Sequence, residues 1–359
     1  MNDIAKLLNA LNLTGIGQEN LARLLETFQD PSEIFGSGAS NIESSGLTEK
    51  MAAKLRSKLG EIDPEKEWKK LQDLGIKTVT IFDEDYPAPL KEIFAPPSIL
   101  YYKGELFGTD RNIGIVGTRK PTPYGIDAAK QICKELCSVG FNLISGLAHG
   151  IDTVAHQTAV NEGALTGTIL GSSLDNIYPP QNEKLAKKIT EGSGFVMSEY
   201  PLGTEPFKYN FPQRNRIISG LSLGIVVVEA KEKSGALITA NFALEQGREV
   251  FAVPGQIFSK NSKGPHDLIK LGAKLIDSAR DIAQELNIET EFDNPKNNAY
   301  ALPTEQQIIL EILKEGPVAP NEIIKISRHD ASVIGSLLTI MELEGRIKKL
   351  TSGEFAIND

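Results

Sequence analysis

A chain of 359 residues is long enough for two or three domains, and its 40% apolar and 24% charged content is ordinary for a folded globular protein. The formal charge of −9 excludes a protein that coats nucleic acid through bulk positive charge, so any such site has to be a local basic patch. The two cysteines, Cys133 and Cys137, lie on one predicted helix and exclude both a disulfide framework and a zinc-ligand spacing.

The opening MNDIAKLLNALNL has no basic segment followed by an uninterrupted apolar run. No stretch of the chain approaches the ~20 apolar residues of a membrane span. A cytoplasmic protein without a membrane partner is therefore expected. Leu13-Thr14-Gly15-Ile16-Gly17 leads into a helical pattern through Leu21, Leu24 and Leu25, and Ser45-Gly46-Leu47 repeats it more weakly, with Thr48 where the first copy has Gly17. This is similar to a tandem helix-hairpin-helix (SAM-like) domain, in which a glycine turn offers backbone amides to a DNA phosphate. The same residues also suit a small helical bundle whose glycines only turn the chain. Asp63 to Leu74 reads as a helix carrying Trp68, and Lys77 to Phe82 as a strand. The prolines between Tyr86 and Tyr102 predict a rigid, non-helical connection whose aromatics either stack on bases or pack onto the core.

From 106 to about 285, apolar runs at 113–116, 141–145, 166–170, 195–199, 225–230 and 249–253 alternate with helix-length segments at 125–138, 150–162, 182–191, 213–222 and 235–246. Such alternation predicts an α/β fold, a doubly wound parallel sheet of extended Rossmann type. Right-handed crossovers put every strand-to-helix loop on one edge, where ligands of such sheets bind. The first of these loops, Gly117-Thr118-Arg119 within IGIVGTRKPTPYG, joins a strand to a helix N-terminus and adds a permanent cation, which is the pattern of an anion site. No G-x-x-x-x-G-K-[ST] sequence is present, and no full G-x-G-x-x-G follows the first strand, so neither a P-loop nor a nicotinamide fingerprint is seen. His149, Asp152 and His156 have a spacing that a metal can use, but a helix-start Asp and a buried His explain them as well.

Beyond the polar, acidic stretch 289–300, helices are expected at 304–314, 320–326 and 330–345, then a β-wing turning at Ser352-Gly353. This is a winged-helix pattern, with Arg328, His329, Asp330 and Ser332 at its recognition helix. Acid exceeds base in this region, so a protein contact is as reasonable as a weak DNA contact. The expected organisation is 1–75 helical, 76–285 Rossmann with its proline-rich lead-in, 286–301 linker and 302–359 winged helix.

The motifs VGTR (116–119), SGLAHGID (145–152), FPQRNRIISG (211–220) and VVVEAKEKSGALITANFALEQGREVFAVPG (226–255), with YPAPLKEIFAPPSILYYKG before them, resemble the DprA/Smf family of DNA-processing proteins and span the central domain almost end to end. That resemblance implies a homodimer that binds single-stranded DNA with little sequence preference. It also implies loading of RecA recombinase onto strands coated by single-strand-binding protein, in natural transformation and recombination. It implies neither enzymatic activity nor any cofactor or metal. Carried onto this sequence, Arg119 is the main phosphate contact, with donors from Gly117, Thr118, Ser145 and Gly146. Arg214 and Arg216 either line the same groove or form internal ion pairs with acids such as Glu199 and Glu229, since an Arg fork suits phosphate and carboxylate alike. Some members carry a DNA-contacting Lys directly after the Tyr-Pro of the third loop. Here that position is Pro180, and Lys184 or Lys187 is the candidate substitute. Dimer contacts map to Ile257, Leu268 and Ile269, which the chain's own core also explains. The alternative function is an enzyme acting on small nucleotides, with Glu199 or Glu229 as base. The chain lacks the P-G-G-x-G-T-x-x-E loop of that class.

Overall fold

The computed structural model describes residues 2–28, 30–192, 194–290, 304–314, 316–327, 329–343, 345–350 and 352–358. Most of the expected linker and Arg328 of the expected recognition helix lie outside these residues. Met1–Glu289 form one unit and Thr290–Asp359 a second.

The first unit begins with helices Asn2–Leu13, Gln18–Phe28, Pro31–Gly36, Ala39–Glu43, Glu49–Glu61 and Pro64–Asp73. Short polar residues start three of them. The side chains of Asp30, Thr48 and Asp63 accept from backbone amides of the first turn that have no intrahelical partner. The first hairpin turns at Gly15 and Gly17, whose φ of +68° and +85° only glycine adopts without strain.

Strands β1 (Lys77–Thr80), β2 (Ile99–Gly104), β3 (Asn112–Val116), β4 (Asn142–Ser145), β5 (Thr166–Ile169), β6 (Phe195–Ser198), β7 (Gly224–Val227), β8 (Glu249–Ala252) and β9 (Lys274–Leu275) form one sheet in the order β1-β2-β6-β5-β4-β3-β7-β8-β9 among the described residues. β3 to β9 are parallel, and β2 and β1 add an antiparallel edge. Strands β3 to β7 are buried apart from the edge position Asn142, because helices cover both faces. Their near-continuous apolar runs follow from that double cover. The predicted segments at 113–116, 141–145, 166–170, 195–199, 225–230 and 249–253 each overlap one strand, with β3 and β7 starting one residue earlier. The proline-rich lead-in departs from its expected non-helical form. It holds the short helix Ala88–Lys91, where Pro87 and Pro89 sit at positions that need no amide donor, and it holds β2.

The helical region is fastened to the sheet through polar contacts in the core. Tyr101 of β2 donates to Asn9 Oδ1 at 2.9 Å and accepts from Asn12 Nδ2 at 3.2 Å, and Asn12 Nδ2 also donates to the Glu199 carbonyl at 2.9 Å. Leu8, Leu11, Leu21 and Trp68 share one apolar cluster with Ile99, Tyr101, Leu170 and Val196.

The second unit is a winged helix: helices Thr304–Lys314, Pro320–Ser327 and Ala331–Leu343, then β10 (Ile347–Lys349) antiparallel to β11 (Phe355–Ile357). Ile309, Leu313, Ile323, Ile334, Leu338, Met341, Ile347 and Phe355 form its core. No helix among the described residues is long and apolar enough to cross a membrane.

Candidate nucleic-acid interface

The chain order β3-β4-β5-β6 runs one way across the sheet and β7-β8 the other, so the order reverses between β3 and β7. Loops that part at such a point leave a crevice outside the carboxyl ends of the strands. A cavity of about 570 Å³ lies there, reached by Gly117 and Arg119 after β3, Ala148 and Asp152 after β4, Tyr178 after β5, Lys208 and Phe211 after β6, and Ser234 and Gly235 after β7.

The first loop is held rigidly. The Thr118 amide donates to the Glu229 carbonyl at 2.7 Å, and the Thr118 carbonyl accepts from the Ile151 amide at 3.2 Å. The Glu229 carboxylate accepts from the Thr122 amide at 2.9 Å, the Thr122 hydroxyl at 2.6 Å and Asn261 Nδ2 at 3.2 Å. Thr122 in turn caps helix Pro123–Ser138. From this fixed turn the Arg119 side chain reaches solvent, with its guanidinium carbon 5.5 Å from the Phe211 ring centroid. The Phe211 and Tyr178 rings are 5.6 Å apart at 50°. A planar cation over an aromatic face, beside a second ring, is a surface that can take a phosphate and an unstacked base together.

Arg214 lies in the cavity floor, 4% exposed. Its Nη1 donates to the Gly146 carbonyl at 2.9 Å and to the Ile169 carbonyl, which ties together the ends of β4 and β5. A Cβ at Gly146 would stand 2.5 Å from Arg214 Nη2, so any larger residue there has to displace this guanidinium. Burial lowers the Arg214 pKa to about 10, against the opposing pull of Asp152, so it stays charged at neutral pH. Burial also raises the Asp152 pKa, while Arg214 and the amides of Ala148 and Gly146 hold it down. Among the described residues, the charged side chains lining the cavity are Arg119, Lys208 and Arg214 against Asp152 alone, so the site is locally basic in an acidic chain.

The other residues singled out in the sequence fall in different places. The Ser145 hydroxyl is buried and donates to the Ile115 carbonyl at 2.6 Å, and the Gly146 amide donates to Asp152, so both donors point into the fold. The Thr118 amide is likewise taken up by Glu229. Arg216 does not join Arg214. It is 8% exposed, ion-paired to Glu199, and lines a second cavity. Lys184 is exposed on helix Glu183–Glu191 and is not part of the cavity wall. His156 Nδ1 meets the Thr166 hydroxyl at 2.8 Å, and burial lowers its pKa to about 3. Of the dimer candidates, Ile257 is 79% exposed, with Phe258 beside it at 93%. Leu268 is buried in the chain's own core and Ile269 packs against that core. Lys208, Tyr178 and Phe211 also line the cavity, and the sequence reading gave them no role. The available signal was Lys208 between Phe207 and Tyr209, a cation interleaved with rings just before the RNR helix.

Comparison with known proteins gives two family matches: DNA recombination-mediator protein A over residues 77–287 and the DprA winged helix domain over 293–353. DNA processing protein DprA of Bacillus subtilis is 48% identical over 217 residues, 60% of this chain and 73% of its own length. Protein Smf of Escherichia coli is 39% identical over 280 residues, 75% of this chain and 74% of its own. The X-ray structure of DNA processing protein A from Streptococcus pneumoniae superposes with a TM-score of 0.68 at 34% identity, covering 77% of this chain and 95% of that one. A structure described for the single-stranded DNA binding mode of DNA processing protein A from Helicobacter pylori gives 0.53 at 30% identity, covering 59% and 95%.

Proposed function

This chain belongs to the DNA recombination-mediator protein A family, and from that premise we propose that it binds single-stranded DNA in the cavity between the ends of β3 and β7. Arg119 and Lys208 hold the sugar-phosphate backbone, and Phe211 and Tyr178 offer faces on which bases stack. Neither device distinguishes one base from another strongly, so binding has little sequence preference. The observation that carries this reading is the exposed Arg119 guanidinium over the Phe211 ring, on a turn tied by backbone hydrogen bonds to Glu229 and Ile151. Glu229 accepts three hydrogen bonds and Glu199 is ion-paired, which supports a binding protein over an enzyme using either acid as base. We further place the chain as a cytoplasmic homodimer that helps load RecA recombinase onto single strands, including those held by single-strand-binding protein, in DNA uptake and homologous recombination. Segments 1–75, 76–285 and 302–359 are its working parts.

The test is a titration of labelled single-stranded and duplex oligonucleotides over a salt series, with wild type and Arg119→Ala. Phosphate neutralisation releases counterions, so the wild-type slope should be steep, and loss of one contact should weaken binding at every salt concentration and reduce the slope by about one. Equal affinity of the variant at matched salt would remove Arg119 from the site.

A further inference from the structure

The second cavity, of about 620 Å³, lies between the first helical hairpin and the segment that follows β6. Its inner end is polar. Arg216 and Glu199, 8% and 2% exposed, form an ion pair there. One atom of each is left over: Arg216 Nη1 and Glu199 Oε1 are buried without a hydrogen-bond partner. Leaving a charged donor and a charged acceptor unmatched is unfavourable, and water or a polar ligand edge that reaches them relieves it. Its outer walls are aromatic. Phe94 is 79% exposed, and Phe207 and Tyr209, 47% and 63% exposed, stack with centroids 5.5 Å apart at 5°. Exposed rings around a buried donor–acceptor pair call for a flat ligand with a π-face and one polar edge.

We propose that this second cavity is a nucleobase site, in which the base lies against the exposed rings and its Watson–Crick edge turns towards the Arg216–Glu199 pair at the inner end. Every nucleobase carries a donor next to an acceptor on that edge, and a base taken out of the stack is held by just such contacts. The base can belong to the strand or to a free nucleotide. The strand is favoured by how the wall is built. Lys208 and Phe211 face the first cavity, while Phe207 and Tyr209 face the second, so one short segment separates the two. The strand arm of the proposal rests on the function proposed above.

The experiment cross-links a 5-iododeoxyuridine oligonucleotide to the full chain and maps the attached peptides by mass spectrometry. It is run on wild type, Arg119→Ala and the double variant Phe94→Ala/Tyr209→Ala, whose rings are exposed and leave the core intact. In parallel, saturation transfer from protein to the base protons of free deoxyguanosine monophosphate is recorded, with deoxyribose 5-phosphate as the base-free control. Expected are cross-links on peptides carrying Phe94 or Phe207 and Tyr209, reduced about tenfold in the double variant, or transfer to the free base that the double variant abolishes. Cross-links confined to Tyr178 and Phe211, with base transfer absent or unchanged in the double variant, would overturn the proposal while leaving the first cavity as the strand site. Failure of wild type to bind any strand would end the parent reading instead, and the mononucleotide arm would then decide this one: transfer lost in the double variant supports it, and any other result overturns it.

Discussion

Arg119, Arg214 and Arg216 carry the same guanidinium in three settings: solvent-exposed over Phe211, hydrogen-bonded to the Gly146 and Ile169 carbonyls, and paired with Glu199. Sequence marks all three as cations in ligand-side loops, and only burial separates them. What was legible is the turn that carries Arg119, because a strand, a glycine and a helix start are local signals. What was not legible is which way a donor points, since the partners of Ser145 and Arg214 lie 30 and 68 residues away. His156 makes a prediction at this scale. Burial first, and Arg214 second, lower its pKa from 6.5 to about 3. Between those values the unfolded chain binds the proton and the folded chain does not, so stability is complete above about pH 6.5 and is lost as pH falls towards 3. That loss is on the order of a few kcal/mol. His156→Gln should flatten it, which urea midpoints measured from pH 7.5 to pH 4 will read.

The strands and helices of the sheet were the most legible elements, because runs buried on both sides are apolar along their whole length. β2 was hidden by its surroundings. Prolines on the N-terminal side argue against secondary structure, yet Tyr101, Tyr102 and Lys103 pair with β6 once the chain has turned. The ring pair that links the loops after β5 and β6 was hidden for another reason, since Tyr178 and Phe211 come together only in the fold. Phe211→Ala should cost strand binding about 1–3 kcal/mol, the usual worth of one stacked base. Because Phe211 carries no charge, the salt slope should stay the same while the curve shifts, in contrast to Arg119→Ala. Fluorescence anisotropy at several salt concentrations will separate the two.

Across the first unit, helices and sheet are joined by Tyr101, which meets Asn9 and Asn12 from 92 and 89 residues away. No periodicity in the sequence announces such a contact, and one apolar cluster draws on residues from both sides of the boundary expected at 75. Tyr101→Phe removes one donated and one accepted hydrogen bond in the core and leaves Asn9 and Asn12 short of a partner. It should destabilise the first unit by about 1–3 kcal/mol. Thermal melts should show a lower midpoint, with strand affinity unchanged when measured well below it.

Along Pro206 to Tyr209 the side chains fall in turn on the first and the second cavity, and at the start of the next helix Asn210 stays on the second while Phe211 returns to the first. One short segment therefore walls both cavities, and its spacing matters as well as its composition. One residue inserted or deleted between Phe207 and Phe211 would change the spacing of Lys208 from Phe211 on one side and of Phe207 and Tyr209 from Phe94 on the other, with every amino acid still present. Loop length, which surface segments elsewhere vary freely, is here constrained from both sides, because neither pocket can be widened at this wall without moving the other.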